Sequence, residues 1–155
     1  MRELYFVTCM FLFIPVRLII APAFSASESG NLLSAAKLTV NSPELHSTGG
    51  RISAVDLELN LLKRLANGGS IIARNLALNT PDITNSGLIY GEAGYQVRVD
   101  NLSNSGTLSS PAKIDIAALH DRLDIHNSGN ILARQTEVTA DSLYGVSAAA
   151  VSTAR

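Results

Sequence analysis

One short phrase returns along this chain. It reads LANGG at residues 65–69, ITNSG at 83–87, LSNSG at 102–106 and IHNSG at 125–129. A degenerate copy, LHSTG, stands at 45–49, and ESG at 28–30 opens the series. The phrase glycines are Gly30, Gly49, Gly69, Gly87, Gly106 and Gly129, at intervals of 19, 20, 18, 19 and 23 residues. Near-constant phasing on this scale demands an architecture of stacked units, because one such unit cannot bury its own apolar face.

The residues after each glycine repeat as well. An aliphatic residue comes two or three positions on: Leu32, Ile52, Ile71, Ile89, Leu108 and Ile131. A small residue stands two further: Ser34, Ala54, Ala73, Gly91, Ser110 and Ala133. Then an alternating pair appears: Leu38/Val40, Leu57/Leu59, Leu76/Leu78, Val97/Val99, Ile114/Ile116 and, more weakly, Thr136/Val138. Alternation with period two marks strands with one face inward. Each unit therefore holds two or three short strands and a tight turn.

Stacked units of this kind give an all-β fold, a parallel β-helix of about six coils. Each strand then pairs with its equivalent in the next coil, roughly 4.8 Å away. The turn into each coil is expected to need a positive φ, which glycine adopts without steric cost. Asn67, Asn85, Asn104 and Asn127 are expected to stack as an amide ladder, each side chain bonding the next. The leucine-rich repeat, whose period overlaps, is signalled by one stretch alone, LELNLLKRLAN at 57–67.

Composition agrees with a narrow, regular core. Aromatic residues make up 5% of the chain and Trp is absent, so Leu, Ile, Val and Ala must fill the interior. The formal net charge of −1 leaves no basic face for nucleic acid. The single cysteine, Cys9, reads as an apolar filler of the leading segment, so the remaining chain depends on packing and backbone pairing. That leading segment, residues 1–26, has the pattern of a signal peptide, with cleavage expected after Ala23 or Ala26. An uncleaved membrane anchor is the rival reading. Residues 27–145 are assigned to the β-helix and 146–155 to a frayed tail.

The pattern Leu-x-Asn-x-Gly-x-Ile, then Ala or Ser, then Leu-x-Leu, is similar to the haemagglutinin repeats of filamentous haemagglutinin. The same repeats build the shafts of two-partner secretion exoproteins, including contact-dependent growth inhibition toxins. The resemblance covers residues 28–140 and is clearest over 65–133. It implies a right-handed parallel β-helix, export to the bacterial cell surface or beyond, and a structural or adhesive role without enzymatic activity. The partners it implies are a glycan or protein receptor on a host or neighbouring cell, and an outer-membrane transporter. The family's secretion domain finds no room before Gly30, so the chain reads as a fragment or truncated member. A toxin-stalk fragment and a non-functional reading frame are the neighbouring alternatives. If the signal-like segment does not function in export, a periplasmic or membrane-anchored location is implied. Uncapped solenoid ends also imply end-to-end self-association.

Catalytic, cofactor and metal residues are expected to be none. The one cluster with chemical potential is His120, Asp121, Arg122, Asp124 and His126, in the longest repeat. Its extra residues should bulge as a loop, and His126 should occupy an outward position equivalent to Ser103 and Thr84. The acids Asp56, Asp82, Asp100, Asp115, Asp121, Asp124 and Asp141 form no evident row, which argues against a polysaccharide-degrading β-helix enzyme.

Overall fold

Residues 31–142 are described by the structure, a computed structural model, together with the backbone of the strands Val16–Ile19, Phe24–Ala26, Ser142–Ala148 and Val151–Thr153. Most of the signal-like segment, including Cys9, and the first phrase glycine, Gly30, lie outside the described residues. Among the described residues there are fifteen strands and no helix, and every strand pairing is parallel. The chain is a β-solenoid of about six coils, built as three ladders.

The first ladder begins just past each closing turn: 31–33, 51–54, 70–73, 88–91, 107–110, 130–133 and 151–153 stack in that order. The second runs through 16–19, 37–42, 56–60, 75–79, 95–98, 113–117 and 135–139. The third runs through 24–26, 44–47, 64–67, 82–85, 101–104, 122–127 and 142–148. Some strands, such as Arg51–Asn67, bend over the corners and contribute to all three.

Equivalent residues stack row on row because the strands are in register. Leu32, Ile52, Ile71, Ile89, Leu108 and Ile131 form one inward row, and all are buried. Leu45, Leu65, Ile83, Leu102 and Ile125 form another on the third ladder. Aliphatic rows suit this geometry because like side chains one rung apart nest against each other. The corners carry small or restrained residues. Ser34 and Ser110 hydroxyls accept from the amides of Ala36 and Ala112, at 3.2 and 3.0 Å, and so turn the chain locally. Pro43 and Pro111 sit at register shifts, where a ladder amide is dispensable.

The glycines act differently from the expectation. Among the described glycines the sole positive φ is that of Gly94, 98°. The phrase glycines are required by crowding between coils. A Cβ on Gly69 would lie 2.1 Å from the Gly50 carbonyl oxygen, and one on Gly87 would lie 2.1 Å from that of Gly69. Gly106 and Gly129 meet the coil below in the same way, at 2.2 and 2.1 Å. Those carbonyls accept the amides that open the next coil, as Gly69 O does from Leu88 N at 2.9 Å, so they cannot retreat. The structure also corrects one position. Gly50, not Gly49, is the stacking partner of Gly69, because the turn after Ser47 is one residue longer than its successor.

A second correction concerns the fourth full coil. Leu76 and Leu78 pair with Tyr95 and Val97, so the inward pair is Tyr95/Val97 and not Val97/Val99. Gly91 and Tyr95 are four residues apart where their partners Ala73 and Leu76 are three apart, and Gly94 absorbs the extra residue. Gly91 replaces the usual Ala or Ser because a Cβ there would lie 2.5 Å from the Tyr95 ring. Val99 is also fully buried, at the corner beyond. The Tyr95 hydroxyl is buried without a hydrogen-bond partner, and burial pushes the phenol far above its ordinary range, so it stays neutral.

Two adjacent glycines should therefore behave oppositely. Gly69→Ala should cost more than about 3 kcal/mol, or abolish cooperative unfolding, while Gly68→Ala should cost less than about 1 kcal/mol in urea titrations. Equal losses would show that chain flexibility, not coil contact, sets the requirement. Tyr95→Phe keeps the ring and removes the orphaned hydroxyl. It should raise stability by about 1 kcal/mol, and a loss would mean the hydroxyl is satisfied.

Candidate functional site

The four phrase asparagines form one buried column. Asn67 Nδ2 donates to Asn85 Oδ1 at 2.8 Å, Asn85 to Asn104 at 2.7 Å, and Asn104 to Asn127 at 2.7 Å. Each Nδ2 also donates to the carbonyl of its own phrase glycine, as Asn85 does to Gly87 O at 3.1 Å. The column thus closes the turn inside each coil and ties each coil to the next. It stops below Asn67, where Ser47 takes the position. Ser47 Oγ and Asn67 Oδ1 are both buried without partners. These asparagines are 3% exposed or less, which makes them structural and removes them from any ligand's reach.

A second asparagine column was not read from the sequence. Asn60 donates to Asn41 Oδ1 at 3.2 Å, and Asn79 donates to Asn60 Oδ1 at 2.8 Å. Its signal is there in hindsight: each comes directly after an inward aliphatic, in TVN, ELN and ALN, at the same interval. Glu58 joins this column. A hydrogen bond from Asn60, and then one from Lys37, hold its carboxyl below the ordinary range.

The accessible chemistry lies on the outer faces. On the third ladder one outward row is His46, Ala66, Thr84, Ser103 and His126, so His126 does share a row with Ser103 and Thr84. The neighbouring row is Glu44, Arg64, Asp82, Asn101 and Asp124. Asp82 and Asp124 therefore share a row, which the reading of scattered acids missed because the longer coil shifts the count. Asn101 lies between them and donates to Asp82 Oδ1 at 2.6 Å. Glu44 is held below the usual carboxylate range by its hydrogen bond with His46, and also by Lys63 and Arg64. On the first ladder an outward row holds Ser53, Ile72, Tyr90, Ser109 and Leu132. On both faces side chains stand one rung apart. The third-ladder face, with Thr84, Ser103, Asp82, Asn101 and Asp124, suits repeated polar contacts along an extended partner.

The His120–His126 cluster divides in two. Four more residues lie between Ala117 and Asp124 than between their partners Arg98 and Asn101, and these form a bulge. Arg122–Asn127 is not loop but strand. In the bulge, His120 is clipped to the coil below. Its backbone N donates to Asp100 Oδ1 at 2.9 Å, and its ring Nδ1 faces Asp100 Oδ2 at 2.7 Å. That hydrogen bond, and then the charges of Asp100 and Asp121, raise the imidazole above its ordinary 6.5. On the strand, Asp124 Oδ1 lies 3.2 Å from His126 Nε2 without hydrogen-bond geometry. Among the described residues no three His, Cys, Asp or Glu side chains gather as metal ligands.

Comparison with protein-family models, with curated proteins and with solved structures returns no match.

The clip makes stability depend on pH with a defined sign. The folded value of His120 is raised, so its contribution is complete below pH 6.5 and is lost as pH rises through the folded value. Asp100→Asn keeps the backbone contact and removes the charge. The Tm gap between parent and variant should be widest below pH 6.5 and should close above the folded value. A gap that widens with pH would refute the clip. Because both partners meet solvent, the gap will be small.

Proposed function

We propose that this chain is a segment of an exported, surface-displayed bacterial shaft of the filamentous haemagglutinin kind, working by contact and not by turnover. One observation carries this reading: the coils stack rung on rung with matched inward rows and a continuous buried asparagine column. A rod of this design lengthens by adding coils, and each added coil adds one more rung to the same outer faces. Those faces present Thr84, Ser103 and Asn101 beside Asp82 and Asp124, groups suited to many weak polar contacts. The partner of such a face is a glycan or protein on a host or neighbouring cell. The route to the surface is an outer-membrane transporter.

Two measurements test the proposal. Antibody against the purified chain should label intact producing cells, and protease added outside should remove the label. Purified chain should bind target cells, and Ser103→Arg, on the exposed outer row, should weaken binding without moving Tm. Retention of the chain inside the producing cell would overturn the proposal. Sustained breakdown of an acidic polysaccharide, lost in Asp82→Asn or Asp124→Asn, would replace it with an enzymatic one.

A further inference from the structure

The four column asparagines differ in the residue that comes next. Asn85, Asn104 and Asn127 precede serine, whereas Asn67 precedes Gly68, and this is the one Asn–Gly pair in the chain. An asparagine before glycine is open to attack on its own side chain. The glycine amide nitrogen meets no side-chain obstruction and its backbone reaches the required geometry freely. We propose that Asn67–Gly68 is a self-modification site gated by folding: inert in the closed coil, and deamidated wherever the coil is open.

The chemistry needs water alone as co-reactant. Gly68 N loses its proton and bonds to Asn67 Cγ. The Cγ–Nδ2 bond breaks and the nitrogen leaves as ammonia, giving a five-membered imide. Water then opens either imide carbonyl, yielding aspartate or its isomer with the main chain routed through the side-chain carbon.

The folded coil blocks the first step at both ends. Gly68 N donates to Ser47 O of the coil below, which holds its proton and points the nitrogen away. Asn67 Nδ2 is fixed by Asn85 Oδ1 at 2.8 Å, Leu88 O at 3.2 Å and Gly69 O at 3.3 Å. The residue is 2% exposed, so water has little access. Attack requires these bonds to break and the turn to rotate, which is an opening of the coil.

The product cannot re-enter the column. An aspartate in place of Asn67 would set a carboxylate against Asn85 Oδ1 and Leu88 O, both acceptors, in a buried aliphatic surround. The isomer would add a main-chain carbon and shift the strand against Asp82–Asn85, which is paired in register with 64–67. An open chain thus loses its ability to close, and loses it at one identified rung.

The neighbouring coils supply the control. Ser86, Ser105 and Ser128 stand where Gly68 does, and each hydroxyl donates to the asparagine carbonyl of the coil below, at 3.4, 3.4 and 3.5 Å. A Cβ on Gly68 would lie 3.2 Å from Thr48 O and 3.3 Å from Ser47 O, a tight fit over a turn that is one residue longer. That is short of the 2.1 Å overlap at Gly69, and serine occupies the equivalent position in three other coils, so Gly68→Ser should fold.

The full chain is held folded in buffer and unfolded in urea at the same mildly alkaline pH, and the conversion of each asparagine is followed by peptide mass spectrometry. In urea, Asn67 should convert ahead of Asn85, Asn104 and Asn127, and refolding yield should fall in step. In the folded chain, conversion at Asn67 should be slower by roughly a hundredfold or more, as expected when reaction waits on local opening. Gly68→Ser should lose the fast site and keep its refolding yield. Equal rates at Asn67 in folded and unfolded chain would overturn the gating. No lead for Asn67 in urea, or an unchanged loss of yield in Gly68→Ser, would overturn the site.

Discussion

At four successive closing turns of this solenoid, Gly69, Gly87, Gly106 and Gly129 each rest on the carbonyl of the glycine one coil below. That contact leaves no volume for a side chain. The crowding comes from the rung spacing: parallel strands about 4.8 Å apart hold successive turns at that same distance. The buried carbonyl at the turn must also accept the amide that opens the next coil, so it is fixed in place. Everything else keeps this contact in register. The asparagine two residues earlier bonds the carbonyl of its own phrase glycine and the next asparagine up the stack, which locks the turn along and across the coil.

That constraint also sorts the surface from the interior. From Asn67 onward every closing turn has the same length, so variation in coil length there escapes at the other corners. The extra residue before Tyr95 is absorbed by Gly94, and the extra residues before Arg122 bulge out as the loop that His120 clips to Asp100. The outward rows stay aligned through both irregularities. A polar face of aligned rows is what the proposed contact role uses, and it exists because the interior tolerates so little.

Asn67 stands where both themes meet. It begins the asparagine column, its neighbour below is Ser47, and it precedes a glycine where other coils carry serine. The longer turn beneath it makes a Cβ at Gly68 a tight fit against Thr48 O and Ser47 O, short of the overlap that a Cβ on Gly69 would meet. The most reactive dipeptide of the chain therefore sits at a structural rung. Its protection then comes from the fold rather than from its chemistry.

The phased glycines, the aliphatic alternation and the asparagine spacing made the stacked parallel fold legible from residues alone. Periodicity in sequence becomes translation in space when each unit has the same unpaired edges and apolar face. The inward rows through Leu65, Ile83, Leu102 and Ile125, and the column from Asn67 to Asn127, result from that translation. The tertiary structure decided how the coils meet. A string of residues carries no record of the distance between successive turns. The glycines therefore looked like a torsional need when they are a steric one, and Gly49 was counted where Gly50 makes the contact. Register across an irregular coil was hidden for the same reason. A one-residue insertion put the inward pair at Tyr95/Val97 where alternation alone had suggested Val97/Val99, and a longer one concealed that Asp82 and Asp124 share a row. Such shifts are settled by which corner takes up the slack, and that depends on packing against the coils on either side.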